Sequence, residues 1–303
     1  MSGLKDTIKK AGLKSYRRLF SSSLQRRLGY PENTKLLIIH ADDLGLTETE
    51  NAASIEALEN GVVNSGSIMV PCRGYNEIIK YASNHPEKDL GVHLTLTSEW
   101  DAYKWGPVSH QEDIKSLIDD NGFFRPDKKG MAKKALPEEI EKELRAQIDR
   151  LLYDGVDITH LDSHMFVAFA PKVLKVYTKL GKDYRIPVLL TNDIPVKYLL
   201  SPDIIAVDKL LYARNADFKN GFMGFYSNLL NSLQPGLNCI LVHVAYDNSE
   251  MKEMTGNTIG FGSAWRQADF DFFTSEVSRT LLKENNIQLI TWREIRDKLV
   301  RKP

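Results

Sequence analysis

The chain has few cysteines, no excess of charge and no long apolar run. Cys72 and Cys239 are the only cysteines among 303 residues, and both lie in or beside apolar stretches, which predicts buried free thiols instead of a disulfide framework. Because 40 basic residues balance 40 acidic ones, nothing draws the whole chain to nucleic acid or anionic lipid. No run reaches the roughly 18 apolar residues of a membrane span, and none forms a signal peptide, so we expect a cytoplasmic protein without nucleic-acid partners.

Several catalytic motifs are missing as well. The sequence has no G-x-S-x-G elbow, no P-loop and no Cys-x-x-Cys pair, which argues against a serine hydrolase, a nucleotide-binding loop and a redox dithiol. The composition, 42% apolar and 26% charged residues, is typical of a globular chain large enough to be an enzyme.

From Lys35 onward, short apolar runs alternate with helical patterns. The predicted strands are 36–39, 67–70, 90–96, 158–161, 188–190, 240–244 and 287–290. Helices are predicted after the capping box of Thr47 and Glu50, ending at Gly61, and over 137–152, 171–180 and 267–284, with a loop at 248–262. Repeated βα units of this kind predict an α/β fold, a barrel of about seven parallel strands.

The first 34 residues differ from the rest. The first thirty contain eight basic residues and one acid, Asp6, and apolar side chains recur at Tyr16, Phe20, Leu24 and Leu28. This pattern predicts an N-terminal amphipathic helix, ended by Gly29, as an extension (1–34) of a barrel domain (35–303). The helix either packs on the barrel or lies on a membrane surface.

Five of the seven histidines lie at or near predicted strand ends, where a parallel barrel carries its active site: His40, His93, His160, His164 and His243. Asp42 and Asp43 follow the first strand, and Asp162 lies between His160 and His164. Each group has a simpler interpretation, such as a core histidine, a helix-capping carboxylate or a structural His160–Asp162 pair. Together, carboxylates and imidazoles from separate strands match a divalent metal site with open positions.

Three stretches, HADDLG, LGVHLTL and HLDSH, resemble in order and spacing the YdjC/ChbG-type carbohydrate deacetylases, relatives of the polysaccharide deacetylases with a distorted (β/α) barrel. The resemblance extends from about Lys35 to the C-terminus. It implies Asp42 as general base, Asp43, His93 and His164 as metal ligands, and His243 as general acid.

The chain departs from the family pattern at two places. Phe166 and Ala168 stand where the family usually has further histidines, and Val244 and Ala245 follow His243 where the family often has proline and glycine. Both changes concern the substrate pocket and leave the implied ligands intact.

The chemistry of amide hydrolysis requires a nucleophile, oxyanion stabilisation and a proton donor, which one divalent ion, a carboxylate and an imidazole can supply. We therefore expect hydrolytic deacetylation of an N-acetylated sugar or short oligosaccharide. Magnesium or zinc is the expected ion, with iron, cobalt, nickel and manganese also compatible with the ligands. Alternatives are a glycoside hydrolase and a non-catalytic sugar-binding barrel, and a homo-oligomer is left open.

Aromatic side chains after His93 are candidates for sugar contact: Trp100, Tyr103 and Trp105. The alternative is a loop held to the barrel by its own aromatic packing. Arg266 is a further candidate for substrate binding, for orienting a buried carboxylate, or for a surface ion pair.

Overall fold

A computed structural model describes residues 23–192, 194 and 205–301. Seven parallel strands form one curled sheet: β1 (Lys35–Leu44), β2 (Ser65–Ile68), β3 (Leu90–Leu94), β4 (Leu161–Ser163), β5 (Lys209–Leu211), β6 (Gly236–Val242) and β7 (Ile287–Leu289). Hydrogen-bonded neighbours follow the order β4-β3-β2-β1-β6-β5, and β7 pairs with the start of β1. The predicted barrel-like α/β fold of about seven parallel strands is confirmed.

Backbone contacts also link the outer strands of this sheet. The predicted strand 188–190 makes a single parallel bridge, from Val188 to Leu161 of β4. The carbonyl of Leu190 then accepts a hydrogen bond from Val207 at 2.8 Å, and Asp208 donates its N–H to Leu237 of β6 at 2.7 Å. The segment 188–190 therefore occupies a strand position without a ladder, while β5, which was not predicted, pairs with β6.

Helices surround the sheet. Those in the described ranges are α1 (Leu24–Leu28), α2 (Glu48–Asn60), α3 (Tyr75–Asn84), α4 (Lys128–Lys134), α5 (Pro137–Tyr153), α6 (Pro171–Tyr184), α7 (Asn215–Lys219), α8 (Phe222–Asn231), α9 (Ser249–Thr255), α10 (Ser263–Phe273), α11 (Glu276–Glu284) and α12 (Trp292–Ile295). Short 3₁₀ segments cover Gln111–Asp113 and His164–Phe169, and a π-helical turn covers Arg296–Val300.

Two helix predictions were wrong. The single helix predicted over 267–284 is two helices, because Ser275 caps α11 by accepting a hydrogen bond from the N–H of Ser278. The predicted loop 248–262 contains α9, which begins where Asn248 accepts a hydrogen bond from the N–H of Met251. In both places a short polar side chain starts a helix that hydrophobic periodicity does not show.

The described part of the N-terminal extension is a short helix against the barrel. Helix α1 ends at Gly29, whose φ of 94° is in the left-handed region that glycine favours. Leu28 is 1% exposed and packs with Leu36 and Ile38. Residues 1–22, with Tyr16 and Phe20, lie outside the described residues.

Strand β1 alternates between two environments. Leu37 and Ile39 face the surrounding helices, whereas Leu36 and Ile38 pack in a separate cluster with β6 and Trp292 of α12. His40 and Asp42 continue the series of Leu36 and Ile38 toward the C-terminal end of the strand. The barrel interior is thus apolar at one end and polar at the other.

Two further expectations concern the cysteines and membrane-spanning helices. Cys72 and Cys239 are buried and free, as predicted. Within the described ranges, no helix combines the length and the apolarity needed to cross a bilayer.

Candidate active site

The polar end of the barrel interior brings together most of the predicted site residues. β1 carries Asp42 and Asp43, β3 carries His93, His164 follows β4, and His243 follows β6. All except His243 are at most 6% exposed, and the His243 side chain is 16% exposed. A substrate would therefore approach from the side of His243.

A local irregularity in β1 lets two consecutive carboxylates face the same site. Neighbouring residues of a regular strand point to opposite faces. The register between β1 and β2 shifts between Ala41 and Leu44, and Asp43 has a φ of 67°. Bulges of this kind redirect a side chain. As a result, Oδ2 of Asp42 and Oδ2 of Asp43 lie 3.6 and 4.0 Å from the same His243 Nε2. The expectation that β1 ends before the two carboxylates was wrong.

The carboxylate of Asp43 lies among three cationic side chains. Its Oδ1 is 3.3 Å from Nε2 of His93 and 3.2 Å from Nδ1 of His164, and Arg266 donates to its Oδ2 at 2.9 Å. Burial alone would raise the pKa of Asp43, but Arg266 and the two histidines hold that pKa well below its ordinary value. Asp43 is therefore ionised at neutral pH.

Each of these imidazoles has a carboxylate on its other nitrogen. Nδ1 of His93 is 2.9 Å from Oδ1 of Asp162, and Nε2 of His164 is 2.9 Å from Oε2 of Glu99. Despite the opposing effect of burial, Glu99 and Asp43 raise the pKa of His164 to about 9, and Asp162 chiefly raises the pKa of His93 well above its ordinary value.

This arrangement fits a divalent cation. One atom each of Asp43, His93 and His164 lies within 4.8 Å of the others, and all three residues are buried. Metal-binding histidines commonly have a carboxylate on the far nitrogen, which fixes the ring and its tautomer, as Asp162 and Glu99 are placed to do. The ligand atoms of two further groups lie equally close together: His40, His160 and Asp162, and Asp42, His93 and Asp162.

Arg266 joins the site to a second buried carboxylate. It is 1% exposed, and besides Asp43 it donates to both oxygens of Glu50 at 2.8 Å and to the carbonyl of Phe261 at 2.8 Å. These contacts match the alternative in which Arg266 orients a buried carboxylate, and the alternative of a surface ion pair was wrong. Substrate binding by Arg266 stays a prediction. Thr47 caps α2, but the Glu50 side chain of the predicted capping box is instead committed to Arg266.

His243 is held between Asp42 and a buried acid. Its backbone N–H donates to Asp269 at 3.0 Å, and its ring contacts the Phe261 ring edge-on at a centroid distance of 4.7 Å. Burial lowers the pKa of His243 to about 4, so the ring is neutral at pH 7. Burial also raises the pKa of Asp269 to about 7.

The hypothesis of a hydrogen-bonded His160–Asp162 pair was wrong. Asp162 instead contacts His40 and His93. Nδ1 of His160 lies 2.9 Å from the Thr159 hydroxyl, its Nε2 has no hydrogen-bond partner among the described residues, and its ring stacks on Trp292. Burial lowers the pKa of His160 well below its ordinary value, which keeps this core ring neutral.

Among the three aromatic candidates, Trp105 borders the site, and Tyr103 lies beside it at a centroid distance of 5.6 Å. Trp105 is 3% exposed, donates to the Thr97 carbonyl at 2.8 Å and contacts His164 at a centroid distance of 5.9 Å. The Arg73 guanidinium covers the Tyr103 ring at 4.4 Å. Trp100 is partly exposed. Trp105 and Tyr103 thus contact residues outside the loop as well as within it, and sugar binding by these side chains stays a prediction.

Six residues that support the site were not predicted as site residues from the sequence: Glu50, which was assigned only to a capping box, and Ser65, Ser67, Glu99, Phe261 and Asp269. The alternation of Ser65 and Ser67 in a buried strand was an available signal, because it places two hydroxyls on one interior face.

Similarity to known proteins agrees with this geometry. The model of the YdjC-like protein family matches residues 36–284. A carbohydrate deacetylase from Thermus thermophilus is 32% identical over 291 residues, covering 91% of this chain and 99% of that protein. One from Brevibacillus brevis is 40% identical over 152 residues, covering 50% of this chain and 58% of that protein. A solved structure of a putative cellobiose-phosphate cleavage protein from Enterococcus faecalis has a TM-score of 0.73 and 26% identity, covering 86% of this chain and 99% of the other.

Proposed function

The chain belongs to the YdjC-like family, and from that premise we propose that it hydrolyses the amide bond of an N-acetylated sugar or short oligosaccharide with one divalent metal ion. The names of its carbohydrate deacetylase relatives support the reaction and the substrate class. Two imidazole nitrogens converging on Oδ1 of Asp43, at 3.3 and 3.2 Å, carry the proposal.

The proposed ligands are Asp43, His93 and His164. A divalent cation there would supply Lewis-acid polarisation of the amide carbonyl and of a water molecule. One carboxylate and two imidazoles form a typical zinc ligand set, and magnesium fits if water completes its coordination.

Asp42 is proposed as the general base. Its Oδ1 receives no hydrogen bond from the described residues, and its Oδ2 faces His243 at 3.6 Å. Asp43 cannot share this role easily, because three cationic side chains stabilise its ionised form. The neighbouring carboxylates therefore have different tasks: Asp43 holds the ion, and Asp42 accepts a proton from the attacking water.

His243 is proposed to pass that proton to the departing nitrogen. With a pKa near 4 the ring begins neutral, so it must receive a proton before it can donate one. Asp42 is close enough to supply this proton after a small movement. The O–H bond of water breaks, its oxygen bonds to the carbonyl carbon, and the proton moves through Asp42 and His243 to the amine as the C–N bond breaks.

A glycoside hydrolase fits the geometry less well. Glycosidase carboxylates flank the scissile bond at about 5 Å or more. Here Asp42 and Asp43 approach one nitrogen of His243 together, and Asp43 is already committed to Arg266 and two histidines. A sugar-binding barrel without turnover is the remaining alternative.

Acetate release tests the proposal. Protein loaded with zinc or magnesium is incubated with a panel of N-acetylated mono- and oligosaccharides, with Asp42→Asn as the matched control. We expect acetate and a free amine from at least one sugar, and strong loss of both in the control. Shortened sugars without acetate would support a glycosidase, and sugar binding without any product would support the non-catalytic alternative.

A further inference from the structure

A layer of polar side chains lies in the barrel interior directly behind the proposed ligands: His40 (β1), Ser65 and Ser67 (β2) and Asp162 (β4). All four are at most 2% exposed. Parallel-barrel interiors are usually packed with branched apolar residues, as the cluster containing Leu36 and Ile38 is here. Buried polar groups are tolerated when they are hydrogen-bonded, so the contacts of this layer matter.

His40 is the centre of the layer. Its Nδ1 lies 2.9 Å from the Ser65 hydroxyl, and its Nε2 lies 3.0 Å from Oδ2 of Asp162 and 3.1 Å from the Ser67 hydroxyl. The same nitrogen is 3.3 Å from Oδ1 of Asp42. One ring nitrogen therefore faces both the proposed base and the carboxylate behind a proposed metal ligand.

Asp162 continues the connection to His93. Its Oδ1 contacts Nδ1 of His93 at 2.9 Å, while its Oδ2 accepts a hydrogen bond from the Ser67 hydroxyl at 2.9 Å and contacts His40. Removing His40 would leave Oδ2 held by the Ser67 hydroxyl alone, so the carboxylate could rotate. Nδ1 of His93 would then lose its fixed acceptor.

The contact between His40 and Asp42 differs in kind. Oδ1 of Asp42 is buried and accepts no hydrogen bond from any residue in the described part of the chain. The His40 contact at 3.3 Å is therefore electrostatic, and it restrains a carboxylate whose other oxygen faces His243.

We propose that His40 is a positioning residue that ties the base Asp42 to the metal ligand His93 through Asp162. This inference rests on the proposed function. In this arrangement a single imidazole nitrogen, Nε2 of His40, fixes the positions of two carboxylates with different tasks, Asp42 and Asp162. His40 itself touches neither substrate nor ion.

Two amide substitutions of His40 distinguish the role of its Nε2 from that of its Nδ1. The side-chain nitrogen of glutamine reaches about as far as Nε2, whereas that of asparagine reaches only as far as Nδ1. His40→Gln should therefore keep the contacts with Asp162 and Asp42, and His40→Asn should keep only the Ser65 contact. Metal affinity is measured by calorimetric titration of each folded variant with zinc, and kcat and KM are measured separately on a sugar that the unaltered protein deacetylates.

His40→Asn should bind zinc about 10- to 100-fold more weakly, as is typical when the support of a ligand is lost. Its kcat in saturating metal should fall at least about tenfold with KM nearly unchanged, because Asp42 is misplaced but the sugar contacts remain. His40→Gln should recover most of both losses. Equal losses in the two variants would indicate a general core role and overturn the inference.

The zinc titrations distinguish a failure of the proposed function from a failure of the inference about His40. If the unaltered protein binds no metal, the proposed function fails and this inference falls with it. If the unaltered protein binds zinc and folded His40→Asn binds it equally well, only this inference is overturned. Should His40→Asn not fold, Asp162→Asn is used in its place, because it alters the carboxylate through which His40 would act on His93. Unchanged zinc affinity in that variant would equally overturn the inference.

Discussion

The two histidines proposed to hold the ion lie in different kinds of structure. His93 is within β3, in register with Asp162 of β4. His164 begins a 3₁₀ segment in which Met165 and Phe166 have φ values of 52° and 53°, and its carboxylate partner, Glu99, has a side chain that is 19% exposed. Sheet register fixes the strand-built half of the site (His93, Asp162), whereas irregular backbone holds the loop-built half (Glu99, His164–Phe169).

The difference indicates a division between rigidity and adjustment. A strand-borne ligand cannot move without disturbing its neighbours, but a loop-borne ligand can adapt to substrate and ion. Phe166 and Ala168, one of the two places where the chain departs from the pattern that it resembles, belong to the loop-built half.

The largest expected effect comes from removing either ligand. His93→Ala and His164→Ala should each weaken zinc binding by more than about 100-fold. Without metal, His93→Ala should lower stability more than His164→Ala, by about 1–3 kcal/mol, because it leaves the buried Asp162 as well as Asp43 short of a partner. Thermal melts and zinc titrations check both points, and equal stability of the variants would contradict the comparison.

Removing the supporting carboxylates should have a smaller, unequal effect. Asp162→Asn should weaken zinc binding about 10- to 100-fold. Glu99→Gln should weaken zinc binding only about threefold. The Glu99 side chain is partly exposed, so water can replace it as the hydrogen-bond partner of His164. Competition with a fluorescent chelator measures both. A larger effect for Glu99→Gln would show that the loop-built half, and not the strand-built half, is the more rigid one.

Metal affinity should depend on pH in both halves, and the contribution of the loop-built half can be tested separately. Glu99 and Asp43 outweigh burial and raise the pKa of metal-free His164 to about 9, so below that pH the ion must displace a proton. Each displaced proton makes affinity rise about tenfold per pH unit, so the proton of His164 together with that of His93, whose pKa is also raised, gives a steeper rise from pH 6 toward 9. Glu99→Gln should shift the upper end of this rise to lower pH, and a flat profile from pH 6 to 9 would contradict the prediction.

The smallest effect concerns the irregular backbone after His164. Met165 is 49% exposed at a φ of 52°, which glycine adopts without strain. Met165→Gly should leave stability unchanged or raise it by up to about 1 kcal/mol. The matched change in helix α8, Met223→Gly, should lower stability by about 0.5–1 kcal/mol. Denaturant titration distinguishes them, and equal losses would show that the turn is not strained.

Sequence patterns predicted the strand-built half better than the loop-built half. Alternation along β1 and β3 indicated which residues face the interior, so the joint position of His40 and Asp42 follows from the period of two. Periodicity could not show that β1 continues through two carboxylates, because Asp43 reaches the site only through a bulge and a left-handed backbone.

Long-range contacts explain most of the other differences between the sequence-based predictions and the structure. Glu50 fits a capping box locally, but its partner is Arg266, 216 residues away. Glu99 lies in the loop that contains the aromatic candidates for sugar contact, and nothing local marks it as a site residue. Only the turn after β4 places His164 beside it. Strand β5 has the sequence Lys-Leu-Leu, which does not alternate, whereas the equally short β7 alternates as Ile-Gln-Leu and was predicted.

The central claim is that the adjacent carboxylates Asp42 and Asp43 perform different tasks, and zinc titration of the two asparagine variants tests it most directly. Asp42→Asn should bind one zinc ion nearly as tightly as the unaltered protein, although its acetate release falls by about a hundredfold or more. Asp43→Asn should bind zinc at least about tenfold more weakly, while its backbone is retained because asparagine tolerates a positive φ. Equal zinc affinities in the two variants would contradict the account.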